Sequence, residues 1–252
     1  MIKFKTEKEV KIMTEGGRIL SEILASLEKS VIPGMSTMDL NILAEELIEK
    51  AGAQSSFKGY RGFPTALCTS INDEVVHGVP SNRIVRVGDI LKIDLGILYK
   101  GYHTDSATTV LVGFNPKDKT HLHRMRLLDV TKEALKIGIE NAIVGNTLGD
   151  LGYAIEQYVK AEGFSVVKDL VGHGIGKTIH EDPEVPNYGH KGKGEKIVVG
   201  MVIAIEPMVT TGVDTTIGGE DGFVFKTEDG SMSAHFEHTI AITNGEPIIL
   251  TQ

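Results

Sequence analysis

Residues 32–40, IPGMSTMDL, return 111 positions later as IVGNTLGDL at residues 143–151. Each copy has a turn glycine, then a hydroxyl residue followed three positions later by Asp, a pattern typical of a helix N-terminus. These pairs are Ser36 with Asp39 and Thr147 with Asp150. Apolar residues then recur at helical spacing, and each helix is predicted to end at a glycine, Gly52 or Gly163.

A second repeat places carboxylates beside β-rich runs in both halves. The run VGDILKIDL at 87–95 matches VGMVIAIEP at 199–207 with an offset of 112. The matched carboxylates are Asp94 with Glu206, and Asp105 with Glu237. The second pair is 132 residues apart, so the second half contains about 20 extra residues, which we place around 212–229.

These repeats predict an α+β fold in which two pseudo-symmetric α-α-β halves surround a central antiparallel sheet. The halves cover approximately residues 8–112 and 120–245, and no Pro- or Ser-rich linker separates them. We therefore expect one domain over 1–252, with further helices at 6–30 and 122–142. The matched carboxylates should converge near the pseudo-twofold axis.

Composition excludes several classes of function. The 26 Lys and Arg against 34 Asp and Glu give a formal net charge of −8, which argues against nucleic acid as the main ligand. The single cysteine, Cys68, excludes an internal disulfide framework. No apolar run is long enough to span a membrane, and the charged N-terminus is unlike a signal peptide. We expect a cytoplasmic, monomeric protein.

The four matched carboxylates indicate a metal site. Taken singly, each is more often a surface acid at the end of a strand. Several carboxylates buried together would repel one another and raise one another's pKa values. Lys92 lies close to Asp94 in sequence, but no basic residue lies beside Glu206. Two divalent cations would remove the repulsion.

Three histidines accompany the carboxylates. His173 lies between two glycines, which allow close backbone approach, and its imidazole is a candidate nitrogen ligand. His180 follows seven residues later and is expected to face the same cleft as a hydrogen-bond donor. His77, taken alone, is more often a core or turn histidine. A nucleophilic Cys68 is disfavoured because it lies in an apolar run without a basic neighbour.

In combination these motifs resemble the methionine aminopeptidases of the pita-bread (creatinase/aminopeptidase) fold, in their short bacterial type I form. The resemblance covers residues 6–251 and includes no long insertion of the type II kind. The motifs that carry it are Asp94 with Asp105 eleven residues later, Gly-His-Gly at His173, Ile-Glu-Pro-Met at Glu206, Phe-Glu-His-Thr at Glu237, Val-His-Gly-Val-Pro at His77 and His-Glu-Asp-Pro at His180.

The resemblance implies a dinuclear centre. It assigns Asp94 to one metal ion, His173 and Glu206 to the other, and Asp105 and Glu237 to both. Mixed oxygen and nitrogen ligands suit Co, Mn, Fe and Zn alike, so the identity of the ions stays open. The catalytic roles implied are proton acceptor for Glu206, oxyanion donor for His180, and contact with the scissile amide nitrogen for His77.

The resemblance also implies an apolar pocket for the methionine side chain. Its expected lining is Tyr60, Phe63, Cys68 and Phe223, with Phe57 and Ile179 adjacent. Relatives often carry Trp at the position of Phe223, whereas this chain has no Trp. Asn72 and Ser233 match positions near a monovalent-cation site.

The implied activity is metal-dependent removal of the N-terminal methionine from nascent proteins and peptides, with a preference for a small second residue. The expected partners are nascent polypeptide N-termini, and contact with the ribosome is left open. The alternative is a prolidase or aminopeptidase P-like enzyme of the same fold, which usually carries a further N-terminal domain. A non-catalytic binding module of this fold is disfavoured, because such chains typically lose metal ligands.

Overall fold

The computed structural model describes residues 1–252, and its elements follow the two repeats. The first half contains α1 (Glu7–Ser30), α2 (Thr37–Lys50), β1 (Gln54–Ser55), β2 (Cys68–Ile71), β3 (Glu74–Val76), β4 (Ile90–Tyr99) and β5 (Tyr102–Leu111). The second half contains α3 (Lys119–Asn141), α4 (Leu148–Ala161), β6 (Ser165–Val166), β7 (Gly172–Gly174), β8 (Glu181–Val185), β9 (Val202–Ile205), β10 (Met208–Thr210), β11 (Thr216–Gly218), β12 (Phe225–Thr227), β13 (Ser233–His235), β14 (Glu237–Ala241) and β15 (Ile248–Ile249).

The repeated helices begin and end as predicted. The hydroxyls of Ser36 and Thr147 accept hydrogen bonds from the backbone three residues later, forming capping boxes with Asp39 and Asp150. Both predicted stop glycines adopt the left-handed conformation, with φ of +68° at Gly52 and +81° at Gly163. Glycine adopts this conformation without the strain that a Cβ would cause, so each of these glycines terminates its helix. None of the helices has the length and apolar character needed to cross a membrane.

The large sheet is antiparallel, and its central strands from the two halves follow one another in mirrored order. Its strand order is β1-β4-β5-β14-β9-β7-β8, with β2 also on β4 and β15 on β14. The series β2-β4-β5 from the first half is therefore mirrored by β7-β9-β14 from the second, and β5 pairs with β14 where the halves meet. This order supports an internal duplication within one domain, which remains a prediction.

Each half buries one face of the sheet beneath its own two helices. Alternate residues of β4, namely Leu91, Ile93, Leu95 and Ile97, pack in one apolar cluster with residues of α1 and α2. A second cluster joins α3 and α4 to the strands of the second half. Since neighbouring strand residues point to opposite faces, Lys92 and Asp94 point away from the helices. The polar residues of the strands thus gather on the face opposite the helices.

The extra residues of the second half form a separate hairpin. Strands β11 and β12 lie inside the predicted insertion at 212–229, and β12 pairs with β3, where Phe225 is opposite Val76. This pairing brings Phe223 and Phe225 next to the segment that carries His77. The insertion therefore contributes to the same face as the carboxylates.

Candidate metal centre and substrate cleft

Strand register brings the acidic residues together. Cys68 pairs with Asp94, Asp94 with Ala107, and Ala107 with Glu237, so the four residues form one row across β2, β4, β5 and β14. Residues in such a row point to one face, and Asp105, two positions before Ala107, points the same way. Asp105 pairs with Gly96, where a Cβ would lie 3.2 Å from its Oδ1. The absence of a side chain at Gly96 makes room for this carboxylate.

His173 approaches the acidic row from the second half. It lies on β7 opposite the small Ala204 of β9. Its Nδ1 donates to the carbonyl of Gly174 at 3.0 Å, which leaves Nε2 for a metal ion. That Nε2 lies 3.6 Å from Oε1 of Glu206, and ligand atoms of Asp105, His173 and Glu237 all lie within 4.8 Å of one another. This spacing is suited to a shared divalent ion.

Both glycines that flank His173 are needed for this approach. A Cβ on Gly172 would lie 2.3 Å from the carbonyl oxygen of Ala204, and one on Gly174 would lie 2.1 Å from that of Asp182. Neither the carbonyl of Ala204 nor that of Asp182 could move away without breaking hydrogen bonds between strands. The sequence-based expectation of close backbone approach at the Gly-His-Gly motif is confirmed.

The acidic cluster is electrostatically unbalanced without a cation. Burial, and then the charges of the neighbouring carboxylates, raise the pKa values of Asp94, Glu206 and Glu237 well above the ordinary range, and burial raises the pKa of Asp105 to about 7. Oδ1 of Asp94 and Oε1 of Glu237 are buried without a hydrogen-bond partner. Unpartnered carboxylate oxygens beside an imidazole nitrogen fit divalent metal ions.

The three histidines of the cleft are held in the neutral form. Burial is the main cause that lowers the pKa of His173 to about 3 and of His77 and His180 to about 4. Neutral imidazole is the form that ligates metals or donates a single hydrogen bond. His77 also has a positive φ of +61°, an uncommon backbone conformation for a residue with a side chain. This conformation follows directly on β3, and the role of His77 stays a prediction.

One cavity of about 320 Å³ connects these groups. All eleven residues predicted for catalysis, substrate binding or metal binding line it: Tyr60, Phe63, Cys68, His77, Asp94, Asp105, His173, His180, Glu206, Phe223 and Glu237. Their individual roles stay predictions. The lining also includes Phe57, which was expected nearby, and Arg61, Gly222 and Phe225, which sequence reasoning did not identify. Ile179 is buried behind the wall in a cluster against which Phe57 and Tyr60 pack.

One end of the cavity is apolar. The rings of Phe63 and Phe223 meet edge to face with centroids 5.3 Å apart. Cys68 is buried, and desolvation raises the pKa of its thiol well above the ordinary value, so this cysteine is suited to packing and not to nucleophilic attack. At the other end, Oη of Tyr60 lies 2.9 Å from Nδ1 of His180, which orients that imidazole.

Two histidines close to Glu237 in sequence lie in different surroundings. His238 follows Glu237, and strand alternation turns it to the opposite face, where its Nδ1 lies 2.9 Å from Oγ1 of Thr251. His235 is only 1 % exposed. Neither of its ring nitrogens has a hydrogen-bond partner, and its Nε2 lies 3.5 Å from Oε2 of Glu206. Its position two residues before Glu237 is the signal that could have placed it on the same face as the carboxylates.

Lys92 does not pair with Asp94. Its Nζ donates to the carbonyl of Asn72 at 2.8 Å, and to the carbonyl and hydroxyl oxygens of Ser233 at 3.1 and 3.0 Å. Burial lowers its pKa to about 7, whereas the charges of Glu74 and Asp73 act in the opposite direction. The oxygens of the two residues expected near a monovalent cation therefore already surround an amino group of the chain.

Comparisons with known proteins agree with this geometry. Residues 11–244 match metallopeptidase family M24. The chain is 47 % identical to the methionine aminopeptidase of Clostridium acetobutylicum over 252 residues, which is 100 % of this chain and 99 % of the relative. A crystal structure of methionine aminopeptidase from Thermotoga maritima superposes with a TM-score of 0.95 at 40 % identity and full coverage of both chains.

The prolidase alternative has weaker support. The prolidase of Pyrococcus horikoshii superposes with a TM-score of 0.77 at 24 % identity and matches 99 % of this chain but 63 % of its own. A likeness at that identity shows the fold alone. The predicted pita-bread fold and the predicted family are both confirmed, and the chain belongs to metallopeptidase family M24 and, within it, to the methionine aminopeptidases.

Proposed function

We propose that this protein removes the N-terminal methionine from nascent proteins and peptides, with a preference for a small second residue. The observation that carries the proposal is one cavity in which five candidate metal ligands and two neutral histidines meet an apolar end. Full-length relatives at 47 % identity that are named methionine aminopeptidase support the choice of substrate. The protein is thus a metallopeptidase and a hydrolase.

The proposed ligands for two divalent ions are drawn from both halves of the chain. They are Asp94, Asp105, His173, Glu206 and Glu237. Asp94 would hold one ion, His173 and Glu206 the other, and the remaining two carboxylates would contact both. When bound, such ions supply Lewis acidity that polarises the scissile carbonyl and lets water attack at neutral pH.

The chain's own groups complete the reaction. The carboxylate of Glu206 takes the proton that the attacking water loses. Tyr60 engages Nδ1 of His180, which leaves Nε2 to donate to the developing oxyanion. His77, in its strained backbone conformation, would contact the nitrogen of the scissile amide and assist proton delivery to the leaving amine.

The two ends of the cleft suggest how a peptide lies in it. The thioether of the first residue fits against the edge-to-face pair Phe63 and Phe223, since sulfur packs favourably on aromatic rings. A second cavity of about 440 Å³ adjoins the first and shares His77, His173, His180, Glu206 and Arg61 with it. The peptide beyond the scissile bond would enter there, and the nearby walls, which include Val76 and Met208, would limit the second residue to a small side chain.

The test compares peptides on protein loaded with Mn²⁺. We expect Met-Ala-Ser to be cleaved after methionine, Met-Leu-Ser to be cleaved far more slowly, and Gly-Pro to remain intact. Chelation by EDTA is the control and should abolish cleavage. Cleavage of Gly-Pro without cleavage of Met-Ala-Ser would instead assign the chain to the prolidase branch.

The remaining expectations belong to the same proposal. The family and the donor set are compatible with Co, Mn, Fe or Zn, and we propose two ions without choosing among the four metals. We further propose one catalytic domain over residues 1–252, a cytoplasmic location and a monomeric state. Metal content by mass spectrometry and mass in solution by light scattering test the number of ions and the monomer.

A further inference from the structure

We propose that the ammonium group of Lys92 is a built-in substitute for a monovalent cation, so that this protein needs no such ion. The Lys92 residue is only 1 % exposed although its side chain ends in an ionisable group. Three N–H donors meet three oxygen acceptors within 2.8–3.1 Å. A neutral amine has only two N–H groups, and the Ser233 hydroxyl donates its own proton to the carbonyl of Glu74 at 3.1 Å, so one of the three oxygens would face the lone pair of a neutral amine. The geometry therefore matches the charged form.

The oxygens around Nζ form a cation site by their chemistry. Two are backbone carbonyls, from Asn72 and Ser233, and the third is the Ser233 hydroxyl. Carbonyl and hydroxyl oxygens pointing at one position are the donors that hard monovalent cations take. An ion and the ammonium would need the same three oxygens. The expected monovalent ion therefore does not fit here, because a cation of the chain already holds its ligands.

The site connects three segments that carry the proposed active-site residues. Lys92 lies on β4 two residues before Asp94. Asn72 lies in the turn after β2, and the chain continues from it through β3 to His77. Ser233 begins β13, and its backbone N–H donates to the carbonyl of Asn72 at 3.0 Å. Lys92 is thus a positioning residue, because it joins the strand of one ligand to the segments that lead to others.

The first experiment uses the unaltered, Mn²⁺-loaded protein in KCl, NaCl or choline chloride at equal ionic strength. We expect the same melting temperature in all three salts, within about 2 °C, and equal rates on Met-Ala-Ser. A specific gain in either property with K⁺ or Na⁺ over choline, which is too large for the site, would overturn the proposal. The melting temperature is independent of the proposed function, so a failure of the peptidase assay leaves the thermal test intact.

The second experiment removes the ammonium. Lys92→Ala should lower the melting temperature by on the order of 10 °C, because buried oxygens lose their cation. K⁺ or NH₄⁺, but not choline, should restore at least half of this loss, and should also restore Mn²⁺ affinity measured by calorimetry. Lys136→Ala is the matched control, since Lys136 is exposed on α3; its melting temperature should show no difference among the salts.

The outcomes separate a cation site from a merely structural lysine. If Lys92→Ala folds and is equally destabilised in K⁺, NH₄⁺ and choline, the ammonium only fills space and the proposal is wrong. If this variant does not fold, Lys92→Asn, which has a smaller polar side chain, takes its place in the same measurements. The salt comparison on the unaltered protein still tests the proposal.

Discussion

Replacing Asp105 by Asn should have opposite effects on the metal-free and the metal-loaded protein. Asp105 lies on β5 at the centre of the sheet and is 4 % exposed. Asn is nearly isosteric, and its side-chain oxygen can still accept the hydrogen bond that the N–H of Ser106 donates at 3.1 Å. The substitution therefore removes the ionisable group and changes little else.

The magnitude follows from the pKa of Asp105. Burial raises it from 3.8 to about 7, a difference of roughly 3 units. At about 1.4 kcal/mol per unit, ionising this carboxyl in the metal-free protein costs up to about 4 kcal/mol. The four carboxylates titrate as a group, so this figure is the upper limit for one member.

The sign of the pH dependence is set by the protons bound. A carboxyl whose folded pKa lies above its unfolded value binds more protons when folded. Asp105 therefore contributes no destabilisation below about pH 4, and its cost grows as the pH rises to 7 and is complete above that value. The free energy of unfolding of the metal-free, unaltered protein should fall as the pH rises from 4 to 7. That of metal-free Asp105→Asn should fall less, so this variant should be the more stable of the two at pH 7.

Metal ions should reverse the order of stability. Each ligand bound only by the folded protein adds about 2.7 kcal/mol to the free energy of unfolding at a hundredfold excess over Kd, so the two proposed ions would add about 5 kcal/mol, more than the limit of about 4 kcal/mol for ionised Asp105. The unaltered protein should gain this stability from Mn²⁺, and Asp105→Asn should lose most of it because a proposed shared ligand is missing.

Urea unfolding followed by circular dichroism at pH 5, 6 and 7, with EDTA or with Mn²⁺, measures both effects. Asp129→Asn, at an exposed position of α3, is the control and should behave as the unaltered protein. Equal stabilities of the two metal-free proteins at pH 7 would refute the electrostatic argument. An undiminished response of Asp105→Asn to Mn²⁺ would refute its assignment as a ligand.

Three further substitutions test other parts of the cleft. His235→Ala should weaken Mn²⁺ binding about tenfold in calorimetry, because its imidazole lies 3.5 Å from Glu206; unchanged affinity would deny it a positioning role. Gly174→Ala should lower the free energy of unfolding in urea by about 2 kcal/mol or more, since its Cβ would meet the carbonyl of Asp182 at 2.1 Å. Phe223→Ala should raise KM for Met-Ala-Ser about tenfold with a smaller change in kcat; an unaltered KM would place the methionine side chain elsewhere.

Local chemistry in the sequence was enough to predict the helices of the repeat. A capping box and a stop glycine act within a few residues, so Ser36, Thr147, Gly52 and Gly163 could be interpreted without knowing the fold. The spacing of carboxylates on β-rich runs similarly indicated that they share a face. Cross-strand register then brings them together, and that register depends on the whole sheet.

Contacts between distant segments were not predictable in the same way. Lys92 was placed beside Asp94 by proximity in sequence, whereas its actual partners, Asn72 and Ser233, lie in other strands and turns. Phe225 reaches the cleft only because β12 of the insertion pairs with β3. The position of an inserted hairpin depends on which strand edge is free, and the amino-acid pattern of the hairpin itself does not contain that information.

The proposed metal centre has different residues on its two sides, although the sheet that carries it is nearly symmetric. One pair of matched positions accounts for this asymmetry. In the first half Lys92 of β4 is opposite Ser70 of β2; at the matched position of the second half, Ala204 of β9 is opposite His173 of β7. A small residue at 204 leaves room for an imidazole, whereas a long cationic side chain at 92 binds the oxygens of a neighbouring turn and strand. Matched carboxylates from both halves would build a symmetric acidic pair. This exchange places an imidazole, the proposed nitrogen ligand, on one side and the buried amino group of Lys92 on the other. Two metal ions in such a frame would differ in ligand type, and the side with His173 also holds His180 and Glu206, the groups proposed to act on the substrate.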